Sequence, residues 1–252
     1  VWGGEDIHIG LYDESTGSIK EASGKTVAKM ASLPGKIDES TSILDIGSGY
    51  GGAARYLAKT FGCKVHCLNL SQTENDRNRE KNFEQQLDDK IEVVTGNFEE
   101  LAFEDGTFDI VWAQDAILHS EHKMKVFSEA FRVLKSGGKF LFTDPMQADN
   151  CPEGVLEPIL NRIHLKELGS VKKYKEFAEK VGFKEEMILE MPEQLVNHYS
   201  SVLEKLIELE DDLKNNGCEE DYLSRMKTGL QHWIEGGKNN YLNWGILVFT
   251  KP

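Results

Sequence analysis

No stretch of this chain approaches the ~20 consecutive apolar residues that a membrane-crossing helix needs, so no transmembrane helix is expected in its 252 residues. The first residues, Val1 to Asp6, offer neither a basic start nor an apolar segment, and no signal peptide is expected. Basic residues are outnumbered: 29 Lys and Arg face 43 Asp and Glu, a formal net charge of −14. An acidic surface repels phosphate backbones, and no basic stripe studded with aromatics interrupts it, which argues against a nucleic-acid partner. A small anionic substrate stays open, because one local cation is enough to hold it. Cysteine is scarce as well. Cys63, Cys67, Cys151 and Cys218 form no CxxC pair and have no accompanying histidine spacing, so no metal site is expected. Reduced thiols filling core space are the simpler reading, and they point to a reducing compartment, the cytoplasm. Internal repeats and low-complexity tracts are absent.

What is present is an ordinary soluble composition, 39% hydrophobic and 29% charged, in a chain long enough for one α/β core with a cap. Residues 1–40 are polar and Gly-rich, with a helix expected from Ser18 to Ala31 and stopped by Pro34-Gly35. Apolar runs and helical stretches then alternate. Strands are expected at Ser42–Ile46, Lys64–Leu68, Ile91–Thr95, Phe108–Ala113 and Lys139–Thr143, and helices at Gly51–Phe61, from Ser71 onward, and at Glu121–Leu134. Ser71 with Glu74 three residues later forms a capping-box pattern. This alternation means a parallel sheet covered by helices. After Asp144 the pattern loosens: a loop at Pro145–Ser170 with a helix near Leu156–Leu168, then a helix Lys172–Val181 and a strand Met187–Glu190. One long amphipathic helix through Leu195, Tyr199, Val202, Leu206, Leu209 and Leu213, a helix at Asp221–Ile234 and a last strand at Trp244–Thr250 complete it. The segments 145–170 and 192–243 therefore read as insertions in a single domain whose core is 41–144 plus the remaining strands. Insertions near the carboxyl ends of strands are where such a sheet builds its binding site.

Residues 43–52 read ILDIGSGYGG, a glycine turn placed between a strand and a helix, where the backbone must bend tightly and approach a ligand closely. The spacing Gly47, Gly49, Gly52 is shared with nicotinamide-binding turns. Asp45, two residues before the first glycine, is poorly placed for a pyrophosphate but well placed to pair with an ammonium group.

The motif DxGxGxG after a first strand resembles the signature of class I S-adenosylmethionine (SAM)-dependent methyltransferases. That resemblance implies a Rossmann-like sheet of seven strands with the last antiparallel, helical insertions forming a cap, and SAM as cofactor. It places Asp45, Gly47, Ser48 and Gly49 around the methionine part of SAM. At the end of the second strand, Asn69, Leu70 and Gln72 are expected at the ribose, although the usual residue there is Asp or Glu and Asn69 carries no charge. After the third strand, Asn97 stands where the family has Asp and is expected to meet the adenine amino group through its carbonyl, with Phe98 as an apolar contact. In Phe108–Ser120, FDIVWAQDAILHS, Gln114, Asp115 and His119 follow a buried strand and face the ligand edge. The Asn/Asp-Pro-Pro-aromatic tetrapeptide of methyltransferases acting on nucleobase or amide nitrogen is missing.

Several stretches together resemble the sarcosine/dimethylglycine N-methyltransferases of glycine betaine synthesis: WGGEDIHIGLY from Trp2, NLSQ from Asn69, WAQDAILHS from Trp112, TDPM from Thr143, GLQHW from Gly229 and LNWGI from Leu242. This implies an N-methyltransferase of sarcosine and dimethylglycine, with residues 1–40 as a lid. The N-terminal pattern also resembles phosphoethanolamine and tocopherol-type methyltransferases, so phosphoethanolamine and a phenolic ring stay open as acceptors. An NAD-linked oxidoreductase and a non-catalytic SAM-binding module remain as other classes. Methyl transfer needs an unprotonated amine; His119, His8 and Tyr12 are candidates to relay its proton. The acceptor's carboxylate needs a cation, for which Arg162 is the candidate, with His164 and Tyr174 beside it. A quaternary ammonium product suits aromatic faces, for which Trp2, Tyr12, Trp233 and Trp244 are candidates. Trp112 reads as core.

Overall fold

A computed structural model describes residues 4–252. Helix α1 (Ile19–Ala31) begins where Ser18 accepts the Glu21 N–H at the helix start, satisfying one of the amides a helix terminus leaves open. The alternation then runs β1 (Ser42–Ile46), α2 (Gly52–Phe61), β2 (Lys64–Asn69), α3 (Gln72–Glu84), β3 (Ile91–Thr95), β4 (Phe108–Gln114), α4 (Lys123–Val133) and β5 (Leu134–Gln147). The second half comprises α5 (Glu157–Arg162), α6 (Val171–Val181), β6 (Lys184–Glu190), α7 (Pro192–Glu208), α8 (Glu210–Asn215), α9 (Glu220–Lys238) and β7 (Leu242–Thr250).

The strands form one seven-stranded sheet in the order β3-β2-β1-β4-β5-β7-β6. Pairing is parallel from β3 to β5, while β7 runs antiparallel to both β5 and β6. The order reverses between β1 and β4, which opens a crevice at their carboxyl ends. Successive residues of the central strands enter opposite cores, as a pleated strand requires. Phe108, Val111, Phe140, Phe142, Leu247 and Phe249 face α4 and α6 in one apolar cluster, and Ile43, Ile110, Trp112, Leu141 and Val248 face α1 and α2 in the other. Each fully buried side chain of this size contributes roughly 1.5–3 kcal/mol. A third cluster, with Ile9, Leu118, Ile159, Leu195, Trp233 and Trp244, lies over the carboxyl edge and joins the N-terminal segment, α5, α7 and α9.

β6, α9 and β7 run a few residues beyond their expected bounds, and three further elements depart from the sequence expectation in ways that shape the cap. The fifth strand is longer than Lys139–Thr143 and continues through Pro145 to Gln147. Pro145 is tolerated because its partner Trp244 sends its N–H to Asn243 Oδ1 and its carbonyl to Met191 N–H, so no ladder bond to proline is lost. The helix expected to reach Leu168 stops at Arg162. His164 adopts a left-handed φ of 57° and Leu165 N–H returns to Leu160 carbonyl, the geometry of a helix C-cap. The single helix through Leu213 divides at Leu209, where Glu210, Asp211 and Asp212 supply the acidic first turn that favours a new helix start.

Candidate active site

The first cavity, of about 430 Å³, occupies the crevice at the carboxyl ends of β1, β2 and β4. Its floor is the turn after β1. Gly47 N–H is held by Leu68 carbonyl at 2.7 Å, which pins the turn to β2. Gly47 has φ +77°, and a methyl there would run into the methyl of Ala116, so both conformation and space require glycine. Asp45 is 3% exposed at the base of this floor. Burial pushes its carboxyl up to about 7; the charge of His8 opposes the rise and Asp6 adds to it.

One wall comes from the β2–α3 junction. Asn69 Nδ2 donates to Glu74 Oε2 at 2.6 Å, and both residues line the cavity. The Glu74 carboxylate does not close a capping box on Ser71; it turns to Asn69, while the Ser71 hydroxyl still accepts Glu74 N–H. After β3, Asn97 Oδ1 accepts Glu99 N–H at 2.9 Å, which uses one of the two lone pairs of the carbonyl expected to face a ligand and leaves the amide NH2 as donor. Phe98 lines the same wall. The far wall is Gln114, Asp115, Ala116, His119 and Ser120. Gln114 Oε1 accepts the Trp112 indole N–H at 3.0 Å, and its Nε2 is buried with no hydrogen-bond partner among the described residues.

Glu5, Asp6, Ile7 and His8 form the roof. Glu5 is ion-paired with Arg55 and with Lys81, the latter at 2.5 Å. Arg55 is itself buried and donates to Asn78 Oδ1, Asn82 Oδ1 and Tyr50 carbonyl, so the segment is clasped to α2 and α3. Burial works against the charged form of His8, yet the Asp6 and Asp115 carboxyls prevail and its pKa is raised. Ile9 N–H donates to Asp115 Oδ2 at 2.6 Å, and Trp244 Nε1 donates to Asp115 Oδ1 at 2.8 Å. Asp115 is held by these bonds at φ +50°, a conformation Asp tolerates better than most residues. Burial raises its pKa although His8 and these donors oppose it.

A second cavity, of about 210 Å³, adjoins the first and shares Ile7, Asp115 and His119 with it. Its remaining wall is Ile9, Leu118, Pro145, Arg162, Ile163, and His198, Tyr199, Met226, Gly229, Leu230 and Trp233 from α7 and α9. Tyr199 and Trp233 are stacked, with ring centroids 5.2 Å apart and planes at 24°. Arg162 Nη1 donates to Arg225 carbonyl at 2.8 Å, and among the described residues no carboxylate makes an ion pair with this guanidinium. Burial and the Lys123 ammonium lower the pKa of His119, against the pull of Asp115. Burial, helped by the charge of His8, takes His198 down to about 3. Gly10 N–H and Tyr12 O–H both donate to His198 Nδ1, so the neutral ring carries its proton on Nε2.

A match to the methyltransferase domain family spans residues 44–142. Over its full 252 residues the chain is 54% identical to the sarcosine/dimethylglycine N-methyltransferase of Aphanothece halophytica, of which it covers 91%. It is 50% identical over 251 residues to the sarcosine/dimethylglycine N-methyltransferase of Halorhodospira halochloris, covering 90% of it. A solved structure of a candidate sarcosine dimethylglycine methyltransferase from Galdieria sulphuraria superposes with a TM-score of 0.94 at 42% identity, over 100% of this chain and 94% of that one. The chain belongs to the sarcosine/dimethylglycine N-methyltransferase family. A methyltransferase turn thus accounts for residues 43–52, and the NAD-linked oxidoreductase is set aside.

Within this family frame, the residues picked from sequence fall into two groups. Asp45, Gly47, Ser48, Gly49, Asn69, Leu70, Asn97, Phe98, Gln114, Asp115 and His119 all line the first cavity. Arg162 and Trp233 line the second, with Asp115 and His119 shared. Five others lie elsewhere. Gln72 turns outward along its helix, donating to Asp76 and accepting the Thr95 hydroxyl. Tyr12 sits behind His198. His164 is exposed and ends α5. Tyr174 is fully buried in the aromatic core with its hydroxyl on Asp144. Trp244 is fully buried and reaches the cavities only through Asp115. Trp2 lies outside the described residues. The sequence reading missed Glu74, taken as a capping residue, and the pair His198 and Tyr199, of which Tyr199 was read only as part of an apolar helix face and His198 was not singled out. Glu5 and Asp6 carried no signal beyond their place in the WGGEDIHIG stretch.

Proposed function

We propose that this enzyme transfers methyl groups from SAM to the nitrogen of sarcosine and dimethylglycine, giving glycine betaine. The observation that carries the reading is the pair of adjoining cavities: a large one floored by a glycine turn and a buried carboxylate, and a small one with a guanidinium that no described carboxylate pairs with, beside stacked aromatics. The names of the full-length relatives agree with it.

The first cavity fits SAM by its donor and acceptor set. Asp45 is a buried acid whose pKa burial raises to about 7 even against the charge of His8, and an amino-acid ammonium set beside it would favour its ionised form. Gln114 Nε2 is a buried donor suited to a carboxylate. Glu74 and Asn69 present acceptors for vicinal hydroxyls, and Phe98 an apolar face. Bound there, SAM supplies an electrophilic sulfonium methyl.

The chain's own part in the reaction is positioning and proton removal. Arg162 holds the acceptor carboxylate, which fixes the nitrogen in the direction of Ile7, Asp115 and His119, where the cavities meet; such orientation is the larger share of the rate gain in an in-line displacement. An alkylamine titrates near roughly 10 in water, so the bound amine must lose a proton. His119 is neutral at pH 7 because its pKa is lowered, and it stands at the junction to accept that proton. Tyr199 and Trp233 offer aromatic surface to the forming quaternary ammonium. The cavity of about 210 Å³, with Arg162 the one arginine or lysine among the described residues lining it, favours a small amino acid over phosphoethanolamine, whose dianion needs more positive charge, and over a larger phenolic acceptor.

In this reading residues 1–40 close the cofactor cavity as a lid, 41–144 hold SAM, and the 145–170 and 192–243 segments build the acceptor cap. A cytoplasmic setting is part of this reading, and the four free thiols support it; no helix among the described residues is long and apolar enough to cross a membrane. The test is methyl transfer from labelled SAM to sarcosine, dimethylglycine, glycine and phosphoethanolamine side by side. Fast labelling of sarcosine and dimethylglycine is expected. Bound SAM with no labelling of any glycine derivative would remove the acceptor assignment.

A further inference from the structure

Gly229 stands in the interior of α9, where glycine is a poorer choice than alanine. Its backbone does not call for glycine, since it is not among the residues at positive φ. The requirement is a neighbour. A methyl on Gly229 would lie within 2.7 Å of Nε, Cζ and Cδ of Arg162. The guanidinium rests on the bare helix backbone there and donates from Nη1 to the Arg225 carbonyl at 2.8 Å. That carbonyl is one helical turn before Gly229, and a side chain four residues on ordinarily covers it. The other interior glycines of α9, Gly236 and Gly237, face the apolar side chains of Leu242 and of Leu195 and Val196 instead. Gly229 is thus the one of these three that opens onto a polar group of the small cavity.

We propose that Gly229 is a positioning residue for the methyl acceptor: the missing side chain opens a saddle on α9 that seats the Arg162 guanidinium, and with it the acceptor's carboxylate. The inference rests on the reading of Arg162 as the carboxylate anchor. Arg162, an exposed residue at the mouth of the small cavity, contacts Arg225 through one nitrogen and makes no ion pair among the described residues; this leaves its remaining N–H donors open to a carboxylate brought in from outside. A methyl at 229 leaves the fold intact, because the group that must give way is the far end of a flexible side chain. The guanidinium itself is moved by about an ångström, enough to cost up to about a hundredfold in a positioned reaction.

The experiment compares wild type, Gly229→Ala, Arg162→Ala, the double variant and the helix control Ser224→Ala. For each, KM and kcat with dimethylglycine, calorimetric affinity for S-adenosylhomocysteine (SAH) and the melting temperature are measured. Gly229→Ala is expected to raise KM for dimethylglycine about tenfold or more, with SAH affinity unchanged and Tm unchanged or higher. The double variant is expected to be no worse than Arg162→Ala alone, and Ser224→Ala to behave as wild type. A Gly229→Ala enzyme with wild-type KM, beside an Arg162→Ala enzyme with a raised one, overturns the role of Gly229 and leaves the anchor standing. Full additivity in the double variant overturns it too. A wild-type KM in Arg162→Ala removes the anchor reading itself.

Discussion

Replacing Asp45 with asparagine is expected to stabilise the ligand-free protein while weakening its affinity for SAM. An aspartate with an ordinary value of 3.8 is held at about 7 in the folded chain, chiefly by burial. The sign follows from linkage. The folded state binds this proton more tightly than the unfolded state, so the carboxyl is neutral to stability below about pH 4, becomes destabilising as pH rises, and exerts its full penalty above about pH 7. The gap between the two values, at about 1.4 kcal/mol per pH unit, sets an upper bound of about 4 kcal/mol. Asparagine has the same shape and no charge, so it removes the penalty. For a chain of this size each kcal/mol moves Tm by roughly 2–4 °C. Asp45→Asn should therefore melt several degrees higher than wild type at pH 8, and the difference should shrink toward pH 4. The same carboxylate, when it meets an ammonium, must ionise. SAH binding to wild type should accordingly release close to one proton at pH 6 and much less at pH 8, read by calorimetry in buffers of differing ionisation enthalpy. Asp45→Asn should release none at either pH and bind SAH about a hundredfold more weakly, the scale of losing a buried charge partner. A ligand-free Asp45→Asn that melts below wild type at pH 8, or wild-type binding with no proton release at pH 6, would refute the reasoning.

Three further outcomes are expected. The pH profile of kcat/KM should fall on the acid side with a midpoint below 6.5, because the pKa of His119 is lowered; His119→Gln should flatten that limb and reduce kcat about a hundredfold, and an unchanged limb would assign the proton to another group. Glu74→Gln should weaken SAH binding about tenfold, as loss of a charged hydrogen bond does, with little change in Tm since Ser71 still caps α3; calorimetry beside a melt separates the two. Tyr174→Phe should leave KM for dimethylglycine alone and lower stability by about 1–3 kcal/mol, because it strips a donor from the fully buried Asp144 carboxyl. Denaturant unfolding and steady-state kinetics on the same preparation would show whether Tyr174 belongs to the core or to the acceptor.

The order of strands and helices through β5 was legible because each element is written in contiguous residues. The apolar run Ser42–Ile46, the glycines after it and the serine caps Ser18 and Ser71 act within a few positions of themselves. Pro145 misled for the opposite reason: its place in β5 depends on how Trp244, about a hundred residues later, disposes of its own hydrogen bonds. His164 looked like a ligand group, yet its left-handed backbone is set by the helix it ends.

By itself the sequence determined the strand–helix alternation through β5, the glycine turn with Asp45 before it, and the placing of Gln114, Asp115 and His119 at the strand edge. These follow from local periodicity and turn chemistry, which neighbours in the chain impose on one another. Only the tertiary structure decided which side chains face the cavities. It turned Gln72 outward and Glu74 inward on one helix, sank Tyr174 and Trp244 into the core, folded Glu5 to His8 over the first cavity, and set the Arg162 guanidinium on Gly229. Side-chain direction and burial are settled by packing between segments far apart in sequence, and no window of neighbouring residues contains that information.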